Sequence, residues 1–356
     1  MTTKKGGRRF DSAGMLSNLK GDVELSLRLF QLNWIIIGVV LVLLALGVLL
    51  TSFRLEPKGY ITIMGMTGLY GYIGHRNASS GRGNPRVYAT LFTLAQIILV
   101  LILVTSLGYI AASAALPMQE AGLLAFDRAL GLNFRAYLSF VNDRPGLIRA
   151  LAPAYNSIFV QLTLLVVLLP LCGFYRRAAE FVLCFALTLI VTTVISTLVP
   201  ATGVYHALGL LPADHPNIEP SVYYDTLREL PLVRDGTTRV LDAFSLGPLL
   251  TFPSFHAITA VLYAWALWPI PWLRVAGTLW NAVVLAATPI GGGHFFVDVI
   301  AGVGIAFATI YATHRLGNYL SRGQSQKQQP VLVPSHACRG RHPVRPSAQQ
   351  AVRQPA

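Results

Sequence analysis

The sequence predicts an all-α, polytopic membrane protein of eight helices, on three observations. Only 12% of the 356 residues are charged and 54% are hydrophobic, against roughly 25% charged in an average soluble domain. So little charge cannot cover a chain of this length in water, which excludes a soluble enzyme and a disordered protein. The apolar residues fall in runs of about 20, the length that crosses a bilayer as a helix. The basic residues, 28 against 15 acidic ones, gather in alternate connections between those runs, as they do where connections face the cytoplasm.

Residues 1–29 form a polar, basic N-terminus, expected in the cytoplasm. The run at 30–53 is longer than a signal-peptide core and lacks a small-residue cleavage site, so it reads as a retained helix. A weaker, glycine-rich run at 59–74 and the arginine-bearing loop 75–86 follow. Residues 30–87 are therefore expected to hold two transmembrane helices and a cytoplasmic loop. A strong run covers 88–113. Residues 114–149 set apolar side chains at helical spacing among scattered charges, which reads as an interfacial helix with no chemistry of its own.

Runs at 151–173 and 180–200 flank Tyr175-Arg176-Arg177, and a polar loop occupies 201–250. Further runs cover 255–272, 274–290 and 295–314, so 88–315 is expected to be a six-helix membrane core. Polar residues inside these runs, such as Tyr155, Asn156 and Gln161, read as interhelical hydrogen-bonding groups. Residues 316–356 contain no acid and much Gln, Pro and Arg, which predicts a disordered, basic cytoplasmic tail.

With both ends inside, nineteen basic residues lie on inner segments and nine on outer ones. Without the helix at 59–74 the arginines of 75–86 would fall outside, so the same count argues for that helix. This bias accounts for the basic excess, and no nucleic-acid-binding module is legible. The three cysteines show no metal-ligand spacing.

Two segments at outward helix ends carry chemistry. In Gly291-Gly292-Gly293-His294-Phe295-Phe296-Val297-Asp298, the histidine and aspartate lie four apart and share a helix face. The carboxylate can hold one imidazole nitrogen and leave the other free as nucleophile or base. Glycines let an anion approach the helix N-terminus, with Gly293 the nearest backbone donor. In Thr251-Phe252-Pro253-Ser254-Phe255-His256, Pro253 suits a helix start and Ser254 can offer its hydroxyl to the same anion. Two histidines, an aspartate and two anion-binding helix ends are what phosphoryl transfer through a phosphohistidine requires.

These motifs resemble those of the type 2 phosphatidic acid phosphatase superfamily, whose PSGH-type motif precedes an HxxxD motif two helices later. The PSFH and GGHFFVD forms look closest to the branch that includes inositol phosphorylceramide synthases. The resemblance implies a phosphatidic acid phosphatase-like six-helix core behind two extra N-terminal helices. It implies that His294 attacks phosphorus, Asp298 orients it, His256 protonates the leaving oxygen and Ser254 contacts the phosphate, with no metal or other cofactor.

The sequence departs from the family pattern at Phe255, where a glycine is usual, and at Thr288, where an arginine is usual; the family's first motif is not legible. Arg228, Arg234 and Arg239 in the outward loop are then the candidates to neutralise the phosphate, Arg234 and Arg239 first.

The implied activity is metal-independent cleavage of a lipid phosphate ester or anhydride at the outer face of a membrane. The implied partners are a lipid phosphate and the bilayer, with no nucleic acid. The expected location is a bacterial inner membrane, with both termini cytoplasmic and the site periplasmic. The alternatives are a phosphoalcohol transferase of the inositol phosphorylceramide synthase type, and a non-catalytic transporter or scaffold reusing the fold.

Overall fold

A computed structural model describes residues 12–327. The fold is all-α, with thirteen α-helices among the described residues. The long ones are α1 (Ser12–Leu50), α2 (Pro57–Ala78), α3 (Pro85–Ala112), α8 (Tyr175–Leu198), α12 (Pro271–Gly291) and α13 (Phe296–Lys327). Between α3 and α8 run α4 (Glu120–Ala129), α5 (Phe134–Asn142), α6 (Pro145–Asn156) and α7 (Ile158–Leu171). Helices α9 (Val204–Ala207) and α10 (Ser221–Arg234) lie in the long polar segment, and α11 (Phe255–Leu267) follows it. Each of the eight expected runs is helical: α1, α2, α3, the α6–α7 pair, α8, α11, α12 and α13.

Five helices are long and apolar enough to cross a bilayer: Gly21–Leu50 of α1, α3, α8, α12 and Phe296–Arg322 of α13. The α6–α7 pair makes a sixth candidate, bent by 49°. Pro153 cannot donate within α6, and the chain breaks at Ser157, whose hydroxyl donates to the Ala154 carbonyl at 2.7 Å. Helix α11 has only 13 residues, about 20 Å of rise. Pro271 and Pro85 begin α12 and α3 at positions where a missing N–H costs nothing, and Asn84 caps α3 by accepting from the Arg86 N–H at 3.0 Å.

Helix α8 is the central post. Ala178, Ala179, Phe181, Val182 and Cys184 on it are fully buried, against α1, α3, α7, α11 and α13. Side chains such as Ile35, Phe159, Val275 and Phe307 point outward and are exposed, the arrangement of a bundle solvated by lipid. Polar groups inside are paired between helices. The Asn33 amide donates to Gln96 and to the Ala179 carbonyl, and Asn281 donates to Gln161 at 2.9 Å.

The ends of the bundle differ. The connection after α1 forms strand β1 (Arg54–Leu55), paired in parallel with β2 (Val240–Leu241) from the polar segment. The Gly247 N–H donates to the Tyr109 hydroxyl at the end of α3 at 2.7 Å. These contacts gather the α1–α2 connection, the end of α3 and the polar segment at one end, together with the starts of α11 and α13. At the other end Arg176 pairs with Glu180 at 2.7 Å and donates to Asn318.

Three extents differ from expectation. Helix α1 starts at Ser12, inside the segment expected to be a polar terminus, and α13 continues to Lys327, so 316–327 is helix rather than tail. These segments extend the helices because the lysine, arginine, glutamine and leucine in them all favour helix. The rest of the expected termini, 1–11 and 328–356, lies outside the described residues. The single interfacial helix is two, α4 and α5, because Gly131 turns the chain at φ +72° and Asn133 caps α5 by accepting from the Ala136 N–H.

Candidate active site

His294 lies in the four-residue link between α12 and α13, just before the first turn of α13. Its Nδ1–H donates to Asp298 Oδ2 at 3.2 Å, and both side chains are buried. The same oxygen accepts the Phe295 N–H at 3.0 Å. This pair fixes the tautomer and leaves Nε2 as the free nitrogen. Gly292 has no space for a side chain: a Cβ there would lie 2.5 Å from His294 Cδ2 and 2.6 Å from the Tyr155 hydroxyl. Gly293 takes φ +65°, and its carbonyl accepts from Val204 at 2.7 Å. The Gly203–Val204 segment thereby braces the loop that holds His294.

The second motif is tied to the first through the backbone. The Ser254 N–H donates to the Asp298 carbonyl at 3.1 Å, and Gly302 lets the chains approach, since a Cβ there would meet the Ser254 carbonyl at 2.6 Å. Ser254 caps α11, its hydroxyl accepting from the Ala257 N–H at 3.4 Å. The first-turn amides of Phe255 and His256 have no intrahelical acceptor by position. Phe255 turns away from the site and packs edge-on against Phe185 of α8, ring centres 5.4 Å apart, so the bulky residue in the glycine position does not fill the site.

His256 stacks on Tyr155 of α6, with centroids 4.1 Å apart and planes 9° from parallel. The Tyr155 hydroxyl stands 3.5 Å from His256 Nδ1. Across two parallel rings that separation is a stacking contact, since a hydrogen bond would have to lie in the imidazole plane. A cavity of about 50 Å³ borders Tyr155 and Gly291, walled by Ile148, Leu151, Ile290 and Ser221.

The α13 N-terminus, expected to face a ligand anion, has acceptors within the protein for the Phe295, Phe296 and Val297 amides. The Asp127 carboxylate on α4 accepts from Phe296 N–H at 2.9 Å and Val297 N–H at 2.8 Å. With Phe295 held by Asp298, the first-turn amides already face carboxylates of the protein itself. Burial pushes the Asp127 carboxyl above its ordinary value, against the two amide hydrogen bonds, which pull it down. Glu120, also on α4, accepts from the Thr202 N–H at 2.8 Å and meets His206 at 3.1 Å. The segment read as lacking chemistry thus fastens the start of α13 and the 202–206 segment that braces the His294 loop.

The arginines expected at the phosphate are engaged elsewhere. Arg239 donates to the Val233 and Thr238 carbonyls and lies 4.7 Å over the Phe53 ring. Arg234 donates to the Leu116 carbonyl at 2.8 Å and borders a small cavity with Gly108, Ser196 and Leu249. Arg228 pairs with Asp225 at 2.8 Å. None of the three contacts His294, His256 or Asp298. Each is satisfied by carbonyls, rings or acids near it in the polar segment or in the chain packed beside it. Thr288 returns its hydroxyl to the Val284 carbonyl. Among the described residues no three His, Cys, Asp or Glu side chains converge as metal ligands would.

Asp127 and Tyr155 are the site residues that motif reading missed. Asp127 left one trace: it falls four residues after Leu123, on the buried face of α4, a carboxylate where an apolar residue is due. Tyr155 left none, since a tyrosine in an apolar run has many uses.

A buried His–Asp pair at one helix start and a histidine at another thus stand at the same end of a helical membrane bundle. The chain belongs to the PAP2 superfamily, whose family model matches residues 121–312. The match begins within α4 and so includes Asp127, Tyr155 and both motifs, leaving α1–α3 outside. No curated protein and no solved structure matches the chain.

Proposed function

We propose that this protein is an integral membrane, metal-independent lipid phosphatase or phosphotransferase working through a phosphohistidine. Membership of the PAP2 superfamily indicates a phosphatase- or phosphotransferase-type function. The observation that supports the mechanism best is the buried His294–Asp298 pair, which frees Nε2 beside Gly292.

His294 Nε2 attacks phosphorus in line, and the bond from phosphorus to the leaving oxygen breaks as the N–P bond forms. His256 gives its proton to the departing oxygen. Asp298 steadies the charge gained by the His294 ring. Ser254 and the first-turn amides of α11 hold the phosphoryl oxygens. Neutral His256 then takes a proton from water, whose oxygen attacks phosphorus and releases His294 and phosphate.

Hydrolysis leads because water needs no acceptor pocket. An alcohol in place of water would make the protein a transferase of the inositol phosphorylceramide synthase type; the PSFH and GGHFFVD forms favour that second reading. In this reading the site lies at the outer face of the membrane, periplasmic in a bacterium, with both termini in the cytoplasm. The basic-residue bias supports this, as does the β1–β2 pairing, which puts the α1–α2 connection at the same end as the site.

The test is phosphate release by purified protein in detergent with EDTA present. The substrates are phosphatidic acid, an isoprenoid pyrophosphate and phosphatidylglycerol phosphate. Release that disappears in His294→Ala supports the phosphatase. Activity only with an added alcohol acceptor selects the transferase. Release that is unchanged in His294→Ala removes the mechanism.

A further inference from the structure

We infer that Tyr155 is the positioning residue for His256, acting through the face of its ring rather than through its hydroxyl. The inference rests on the mechanism proposed above, and concerns how the proton donor is aimed.

The two histidines are held in different ways. His294 has a carboxylate in its ring plane. Among the described residues the His256 ring nitrogens have no partner except the Tyr155 hydroxyl, which lies across the stack at 3.5 Å. The plane of His256 is therefore set by packing, and the Tyr155 ring, parallel at 4.1 Å, covers one face of it. A proton donor without an in-plane anchor can rotate about its side-chain torsions; a parallel ring removes that freedom while leaving both nitrogens open at the edge. The electron-rich face of tyrosine also suits the imidazolium that precedes proton transfer.

Tyr155 is itself fixed. Ala154 beside it is fully buried, in a cluster with Ala260 of α11 and Val284 of α12. Its ring lies against the glycine run: a Cβ at Gly291 would come within 2.7 Å of Tyr155 Cγ, and one at Gly292 within 2.6 Å of its hydroxyl. The glycines before His294 thus make room for an aromatic side chain, a use that the motif alone does not suggest. Tyr155 also lies in the last turn of α6, two residues before the break at Ser157.

A residue that aims a general acid has a kinetic signature. The acid matters when the leaving group is an alkoxide and matters little when it is an acidic phenol. Single-turnover phosphorylation, with enzyme in excess, would be measured in detergent on an alkyl lipid phosphate and on p-nitrophenyl phosphate. Tyr155→Leu is expected to slow the alkyl substrate roughly 10- to 100-fold and the aryl one less than about threefold, the pattern also expected of His256→Ala. Tyr155→Phe, which keeps the ring, is expected to retain the wild-type dependence on leaving group. Tyr155→Met fills similar space without a ring; if Tyr155→Leu does not fold, Tyr155→Met takes its place. Equal slowing of both substrates by the ringless variants would overturn the inference, as would Tyr155→Phe behaving like Tyr155→Leu. Phosphorylation that survives in His294→Ala would instead overturn the mechanism on which it rests.

Discussion

The carboxylate of Asp127 accepts the backbone N–H of Phe296, the first residue of α13, 169 positions along the chain. A second hydrogen bond, from Val297, makes the contact two-pronged. Helix N-termini leave donors unpaired and carry partial positive charge, and here an interfacial helix supplies the compensating anion. Since His294 and Asp298 bracket these two residues, Asp127 helps set where His294, the proposed nucleophile, stands. Asp127→Ala would strand two half-buried amides and is expected to cost about 2 kcal/mol. It is also expected to lower turnover on the order of 10-fold or more by loosening the start of α13. Thermal unfolding in detergent and lipid phosphate turnover check both; a variant as stable as wild type would show that water replaces the carboxylate.

The same residue gives a pH dependence with a definite sign. Burial pushes the Asp127 carboxyl above its ordinary 3.8, so the folded state binds this proton more tightly than the unfolded one. The stability linked to it is present at low pH and is lost as pH rises through the raised value. Asp127→Asn has no such proton. Melting temperatures measured from about pH 4 upward should show wild type losing ground to Asp127→Asn until Asp127 is ionised, and a constant gap beyond. Movement the other way would mean that the amide hydrogen bonds outweigh burial.

Much of the architecture was legible because a bilayer imposes it: apolar runs near 20 residues must be helices, and all eight are. The His294–Asp298 pair was legible because a helix puts positions four apart on one face. The start of α11 was less legible: the sequence suits Pro253 to the first turn, whereas Ser254 is the cap and the helix begins at Phe255. Asp127 and Tyr155 reach the site across large sequence separations, and no periodicity encodes such contacts. The polar segment misled in the other direction. Arg234 and Arg239 read as free cations in a loop, but three-dimensional packing gives them carbonyls and the Phe53 ring.

The three glycines before His294 are not equivalent, and substitution should separate them. Gly292 has ordinary backbone angles, at φ −101°, so alanine there meets only a steric obstacle, within 2.6 Å of both His294 and the Tyr155 hydroxyl. Gly292→Ala is expected to lower kcat on the order of 100-fold by displacing the nucleophile, with little change in melting temperature. Gly293 takes φ +65° and would crowd Tyr223 and Tyr205 at 3.0–3.1 Å. Gly293→Ala is expected to cost about 1 kcal/mol or more in stability. Kinetics and thermal unfolding on both variants, side by side, test the assignment; identical profiles would mean that the loop adjusts as one unit.

Arg239 offers the sharpest choice between reading a charge from sequence and reading it from structure. Its guanidinium donates to two carbonyls of its own segment and covers Phe53, next to the β1 strand that pairs with β2. That places it as a clamp between the α1–α2 connection and the polar segment. Arg239→Gln removes the planar fork and the cation over the ring, at an expected cost of about 1–2 kcal/mol. A phosphate ligand would behave differently: its loss would raise KM for the lipid phosphate and leave melting almost untouched. The structure therefore leads us to expect a lower melting temperature with KM unchanged, measured on the same detergent preparation. A rise in KM without loss of stability would return Arg239 to the phosphate and require the polar segment to rearrange when substrate binds.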